Sequence, residues 1–211
     1  MNYKDIVDAA KAYTDRYDEE LGDHMAAFTR VVEAKINNAL RTGDQSCRAR
    51  IYLRRGEEYY TLPCDWGGAR DVELIPDGQQ HGKTLVYLAP EQMNALQREN
   101  NSSNSGHHYY TIIAGQIQVA PETDNLVLEI VYYQRLPELA QDTDTNWLTE
   151  KNPDAYIFGL CTEISAFAKD DASFGTYNER FMSSLMDITM EDQISRWSGP
   201  ALRTQVEGMV V

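Results

Sequence analysis

The sequence predicts an α+β protein: a helical bundle, made of N-terminal helices plus a C-terminal helical hairpin, with an inserted antiparallel β subdomain and an extended C-terminal tail. Three changes of period predict it. Apolar residues recur at helical spacing over 3–41, at a spacing of two over 47–135, and at helical spacing again over 153–190. The chain therefore divides into 1–46, the N-terminal helices; 47–145, the β subdomain with one short helix; 146–196, the helical hairpin; and 197–211, the tail. With 211 residues, 42% hydrophobic and 25% charged, it has enough apolar side chains to bury a core.

Helices are expected over residues 3–16 and 22–41. In the second, Met25, Phe28, Val32, Ile36 and Ala39 fall on one face, and Gly43 follows where a helix commonly stops. From Cys47 the runs CRARIYL, EEYYTL, RDVELI, KTLVYL, YYTII, QIQVA and LVLEIVYY read as short strands bounded by Gly, Pro, Asn and Asp. Between YTII and QIQV stand Ala114 and Gly115, a two-residue connection of the kind that closes a hairpin. Pro90 suits the first turn of the short helix APEQMNALQREN, and NNSSNSG after it is a polar loop. In the last third Asn152 is the expected N-cap, with Pro153 at the first helical position and Asp154 near the positive end of the helix dipole. Ile157, Leu160, Cys161, Ile164, Phe167 and Ala168 form one apolar face. Phe174, Tyr177, Phe181, Leu185 and Ile188 form its partner, across a KDDAS turn where Asp171 or Ser173 caps the second helix.

Composition limits the function. Lys plus Arg number 19 against 33 Asp plus Glu, a net charge of −14 that repels phosphates and anionic membrane surfaces. The start, MNYKDIVDAAK, lacks the apolar region of a secretory leader, and no run approaches the ~18 apolar residues of a membrane-spanning helix. Cys47, Cys64 and Cys161 are far apart and without a CxxC, so neither a disulfide framework nor a zinc site is expected. There is no phosphate loop, nucleophile elbow, HExxH or calcium loop, and no metal or other cofactor is expected. The pairs Asp170-Asp171 and Asp142-Asp144 read as solvated surface in so acidic a chain, and Arg54-Arg55 is too small a basic patch for nucleic acid. A carboxylate-based carbohydrate hydrolase and a monomeric acidic binding or chaperone module remain as alternatives.

Three segments in order carry a resemblance: FTRVVEAKINNALR; LPCDWGGARDVEL with YLAPEQMNAL and YYTIIAGQIQVAP; and NWLTEKNPDAYIFGLCTEISAFAKDD with YNERF. Together they cover most of residues 24–181, and Leu62, Pro63, Asp65, Gln116, Pro153, Asp154 and Tyr156 carry the match. In these the chain resembles bacteriophage head-to-tail adaptor proteins, the connectors that dock below the portal. The resemblance implies a structural virion protein rather than an enzyme, made in the host bacterial cytoplasm and placed at the head-tail junction. It implies as partners the portal protein, tail or nozzle proteins, and further copies of itself in a ring of about twelve. Such a ring continues the channel for double-stranded DNA, and an acidic chain lets the duplex pass without specific binding. No membrane partner is implied.

Two segments stand out as partner-binding. In the tail, Ser198, Gly199 and Pro200 break the helix, yet Trp197, Leu202, Val206, Met209, Val210 and Val211, with Arg203 among them, are too apolar for a solvated end. Docking of this tail on a partner groove or sheet edge is expected, with a frayed end as the alternative. The loop residues Asn104, His107 and His108 read as a partner-facing or solvated tip rather than a metal site, because further ligands are lacking.

Overall fold

A computed structural model describes residues 1–76, 82–98, 107–121 and 125–197. The chain divides into two compact units: one formed by residues 1–43 with 137–211, the other by 44–136.

The first unit is helical. Helix α1 (Tyr3–Thr14) starts at Asn2, whose side chain accepts the Asp5 N–H while the Asp5 carboxylate accepts the Asn2 N–H, a reciprocal cap. Helix α2 (Glu19–Ala39) buries Leu21, Met25, Thr29, Val32, Glu33 and Ile36. After the second unit come α4 (Trp147–Lys151), α5 (Pro153–Phe167) and α6 (Asp171–Trp197). Helices α1, α2, α4 and α6 all pack on α5, whose Ala155, Tyr156, Gly159, Leu160, Cys161 and Ile164 are buried. Gly159 explains how three helices meet so closely. A Cβ there would lie 2.6 Å from Val32 Cγ1 of α2 and 3.2 Å from Phe181 Cε2 of α6, so only a hydrogen leaves room.

Local chemistry departs from the sequence reading at the caps and at one aromatic. Asn152 begins α5 but its side chain makes no capping bond. That work falls to Asn146 before α4, which accepts the N–H groups of Leu148 and Thr149 at 3.1 and 3.0 Å. At the hairpin the chain turns through Lys169, in the left-handed region at φ 57°. Asp170, rather than Asp171 or Ser173, caps α6 by accepting the Ser173 N–H. Phe167 is 43% and Phe174 39% exposed, so neither belongs to the core expected of it. Both sit beside the turn of the hairpin, where Phe167 meets His24 and Phe28 at ring distances of 5.2 and 5.7 Å.

The second unit holds two four-stranded sheets. Strand β1 (Ser46–Tyr52), β8 (Leu126–Gln134), β3 (Trp66–Pro76) and β4 (Lys83–Thr84) lie in the order β1-β8-β3-β4. Strands β2 (Tyr59–Thr61), β7 (Gln116–Ala120), β6 (Tyr109–Ile113) and β5 (Val86–Tyr87) lie in the order β2-β7-β6-β5. Leu53, Val72, Leu74, Leu128, Ile130 and Tyr132 from the first and Tyr60, Ile117 and Val119 from the second share one core. The β6–β7 connection is the hairpin the sequence predicts, with Ala114 at φ 50° and Gly115 at φ 78°, the two positive values of a tight twisted turn. One pairing breaks the antiparallel expectation: β5 runs parallel to β6. The cause is a short chain path that changes sheets. Leu85 donates to Val72 O of β3 while Val86, the next residue, donates to His108 O beside β6. Helix α3 (Pro90–Arg98) follows, anchored by the fully buried Met93.

Leu160 is fully buried on α5 and Phe167 is not. Leu160→Ala is expected to cost about 2–5 kcal/mol of stability, whereas Phe167→Ala is expected to cost less than about 1.5 kcal/mol, the loss of aromatic edge contacts only. Chemical denaturation of the two variants checks the order; an equal loss contradicts the placement of Phe167.

Burial pushes the Glu33 carboxyl above its ordinary value of 4.5, with the Leu139 N–H acting against it. In the window between those two values the folded protein keeps a proton that the unfolded chain has released. The stability Glu33 contributes is therefore present in full below 4.5 and is lost as the pH rises through the folded value. Relative to the wild type, Glu33→Gln is expected to gain stability as the pH rises above 4.5. Urea midpoints at successive pH values check it, and parallel curves contradict it.

Candidate interaction surfaces

The residues that carry the sequence motifs turn out to be structural. Leu62 is buried. Asp65 accepts the Tyr132 hydroxyl at 3.0 Å and its carbonyl accepts the Arg135 N–H at 2.8 Å, so the Leu-Pro-x-Asp turn clamps the end of β8. Burial and that bond push Tyr132 up to about 12, and Trp66 stacks on its ring at 5.3 Å. Gln116 opens β7, and Asp154 accepts the Ser184 hydroxyl at 2.7 Å, tying α5 to α6. Tyr156, fully buried, accepts the Asn146 amide at 2.9 Å and donates to Glu33 at 3.5 Å.

In the carboxylate pairs read from the sequence as solvated surface, Asp144 and Asp170 are engaged locally. Asp144 accepts the N–H groups of Ala140 and Gln141, and these bonds hold its pKa below the ordinary carboxylate value. Asp170 is lowered by the Ser173 hydroxyl first and by the Ser173 N–H second. Beside Asp170 lies a cleft of about 140 Å³ lined by Tyr13, Arg16, Ser165, Ser173 and Tyr177. The Tyr177 hydroxyl there is spent on the Tyr13 carbonyl at 2.7 Å. Among the described residues no His, Cys, Asp and Glu come together as a metal cage, and no helix is long and apolar enough to cross a membrane.

Of the expected loop site, Asn104 lies outside the described residues. His107 is exposed and His108 half-buried. The His108 carbonyl receives the Val86 N–H, its Nδ1 is buried with no hydrogen-bond partner, and burial lowers its pKa. Its carbonyl thus extends the β5–β6 pairing. Of the expected tail, Trp197 is the last residue of α6, while Leu202, Arg203, Val206, Met209, Val210 and Val211 lie outside the described residues.

The sequence reading missed an exposed apolar stripe among the described residues of the helical unit. On α6, Met182, Met186, Met190 and Ile194 are 44%, 62%, 60% and 67% exposed. Their spacing of four was legible, but the parallel stripe of Phe181, Leu185 and Ile188 accounted for the helix and hid it. Two apolar faces on one helix mean that one of them is available to something else.

The chain resembles no curated protein closely enough to match it. The family model described as SU10 adaptor protein does match, over residues 1–204. With nearly the whole length covered, and with the Leu62, Asp65, Asp154 and Tyr156 motifs placed as supports of the fold, the chain belongs to the SU10 adaptor protein family and is a phage head-to-tail adaptor.

Proposed function

We propose that the protein is a structural component of the virion, assembling as a ring of about twelve copies between portal and tail and continuing the DNA channel. The observation that carries this reading is the family match over residues 1–204. The absorption of its polar motif residues into caps and buried networks agrees with a protein that works by its surface. In this reading the helices of the discontinuous unit act as one bundle, and residues 44–136 are a subdomain inserted in its sequence. The portal and the tail or nozzle proteins are its partners at the head-tail junction. The tail residues Trp197, Leu202, Arg203, Val206, Met209, Val210 and Val211 are the proposed docking segment, with the loop of Asn104, His107 and His108 as a second contact. A net charge of −14 per chain suits a channel that must release DNA as readily as it admits it.

Native mass measurement of the purified protein mixed with its portal is expected to give one closed complex of defined stoichiometry. A chain lacking residues 198–211 is expected to stay folded and to fall out of that complex. Unchanged assembly by the truncated chain refutes the docking role of the tail, and a strictly monomeric protein in the mixture refutes the ring.

For the DNA-passing role, free duplex is expected to show no binding below about 100 μM protein even at low salt, where attraction is strongest. Micromolar binding that weakens steeply with added salt would show a basic face and contradict it.

A further inference from the structure

The sheet edges of the second unit are not alike. Edge strands β2, β4 and β5 are three, two and two residues long, too short to template another chain. Strand β1 runs for seven residues with no proline or glycine and no break in its register on β8. Among the described residues no strand pairs with its other edge. One step past the Tyr52–Val127 pair, Leu53 donates to the Leu126 carbonyl at 2.9 Å. By the antiparallel alternation Cys47, Ala49 and Ile51 then turn their backbone groups to β8, and the N–H and C=O groups of Ser46, Arg48, Arg50 and Tyr52 point away from the sheet. The side chains of Arg48, Arg50 and Tyr52 are exposed on the outer face. There the buried Glu129 of β8 takes both guanidiniums, Arg50 at 2.6 Å and Arg48 at 3.4 Å. One carboxylate answers two cations. Asp71 and Glu73 of β3 stand on the same face, so in a chain of net charge −14 this face runs from acid on β3 to base on the open edge. On the inner face of the edge Cys47, Ala49 and Ile51 are only half-buried, packed on the core from one side.

We propose that β1 is a docking edge for an extended segment of another protein, one with carboxylates at alternate positions and apolar residues between them. Laid antiparallel along β1, such a segment bonds the outward N–H and C=O groups. Its residues opposite Arg48 and Arg50 fall on the outer face at about 5 Å between Cβ atoms, where opposite charges pair favourably. The residue between them falls on the inner face and covers Ala49. A second copy offering its own β1 is disfavoured, because antiparallel pairing centred on Ala49 sets Arg48 against Arg50, and like charges directly opposite repel. Cations on an edge can also ward chains off. Here the bonds to Glu129 draw both guanidiniums back over β8 and leave the backbone edge open.

Amide hydrogen exchange followed by NMR reads the edge directly, because an outward N–H slows only when a strand is laid on it. The full chain is mixed with a capped peptide of alternating valine and glutamate, about as long as β1, and separately with its valine and lysine counterpart. With the glutamate peptide at about 1 mM, the amides of Arg48, Arg50 and Tyr52 are expected to exchange at least about tenfold more slowly, and with the lysine peptide at an unchanged rate. Arg48→Glu, which reverses a charge, and Tyr52→Pro, which removes an outward N–H, are each expected to abolish the effect. The amides of Leu128 and Ile130, in register with Ile51 and Ala49, are expected to stay slow throughout and so report that β1 remains on the sheet. Should a variant unfold, the two peptides on the wild type still decide the matter. No slowing with the glutamate peptide overturns the proposal, and so does equal slowing with both peptides. Slowing without peptide that grows with protein concentration overturns it as well and assigns the edge to a second copy. The assay contains no portal, so its outcome is independent of the ring reading.

Discussion

The helical unit is made of two stretches of chain, residues 1–43 and 137–211, and what joins them is a buried polar node. Glu33 of α2, 5% exposed, accepts the Leu139 N–H at 2.9 Å and the Tyr156 hydroxyl at 3.5 Å. Asn146 donates to that same hydroxyl and to the Pro137 carbonyl while capping α4. The returning strand of chain therefore meets the first stretch through directional bonds as well as through apolar contact. Apolar contact alone tolerates sliding, whereas buried donors and acceptors are costly unless each meets its partner. The N-terminus is tied to the same place. Tyr3 and Lys4 donate to the carbonyls of Asp144 and Asp142, and the Met1 ammonium to Thr149 O. Segment 137–149 is thus the seam on which α1, α2 and α5 are registered.

Close approach of the helices depends on a second constraint that acts without polar groups. Gly159 lets Val32 and Phe181 approach α5 from two sides, and the fully buried Leu160, Cys161 and Ile164 then fill the space around it. The polar seam sets which residues face each other, and the missing side chain sets how near they come. The β unit achieves its own order separately, with Tyr60, Tyr132 and Asp65 fixing loop ends around a core shared by two sheets.

An adaptor of this kind carries its motif residues as supports. Asp65, Asp154 and Tyr156 carry the family resemblance in the sequence, and each is occupied by a hydroxyl or amide that holds two elements together. Among the described residues of α6, Met182, Met186, Met190 and Ile194 form an exposed apolar stripe with flexible, polarisable thioethers.

The sequence by itself determined the class of each element. Period three to four gave α2, α5 and α6, period two gave β1, β7 and β8, and Ala114-Gly115 gave the hairpin, because each of these signals is local. It also carried the adaptor family, through motifs whose order survives in one dimension. Only the tertiary structure decided the rest. Helical spacing places Phe167 and Phe174 on the same face as buried neighbours, but whether a face is covered at its end depends on where the partner helix stops. The parallel β5–β6 pair follows from Leu85 and Val86 donating to different sheets, and the node of Glu33, Leu139, Asn146 and Tyr156 joins residues 123 positions apart. Those outcomes rest on contacts between distant segments, and no window along the chain contains both partners.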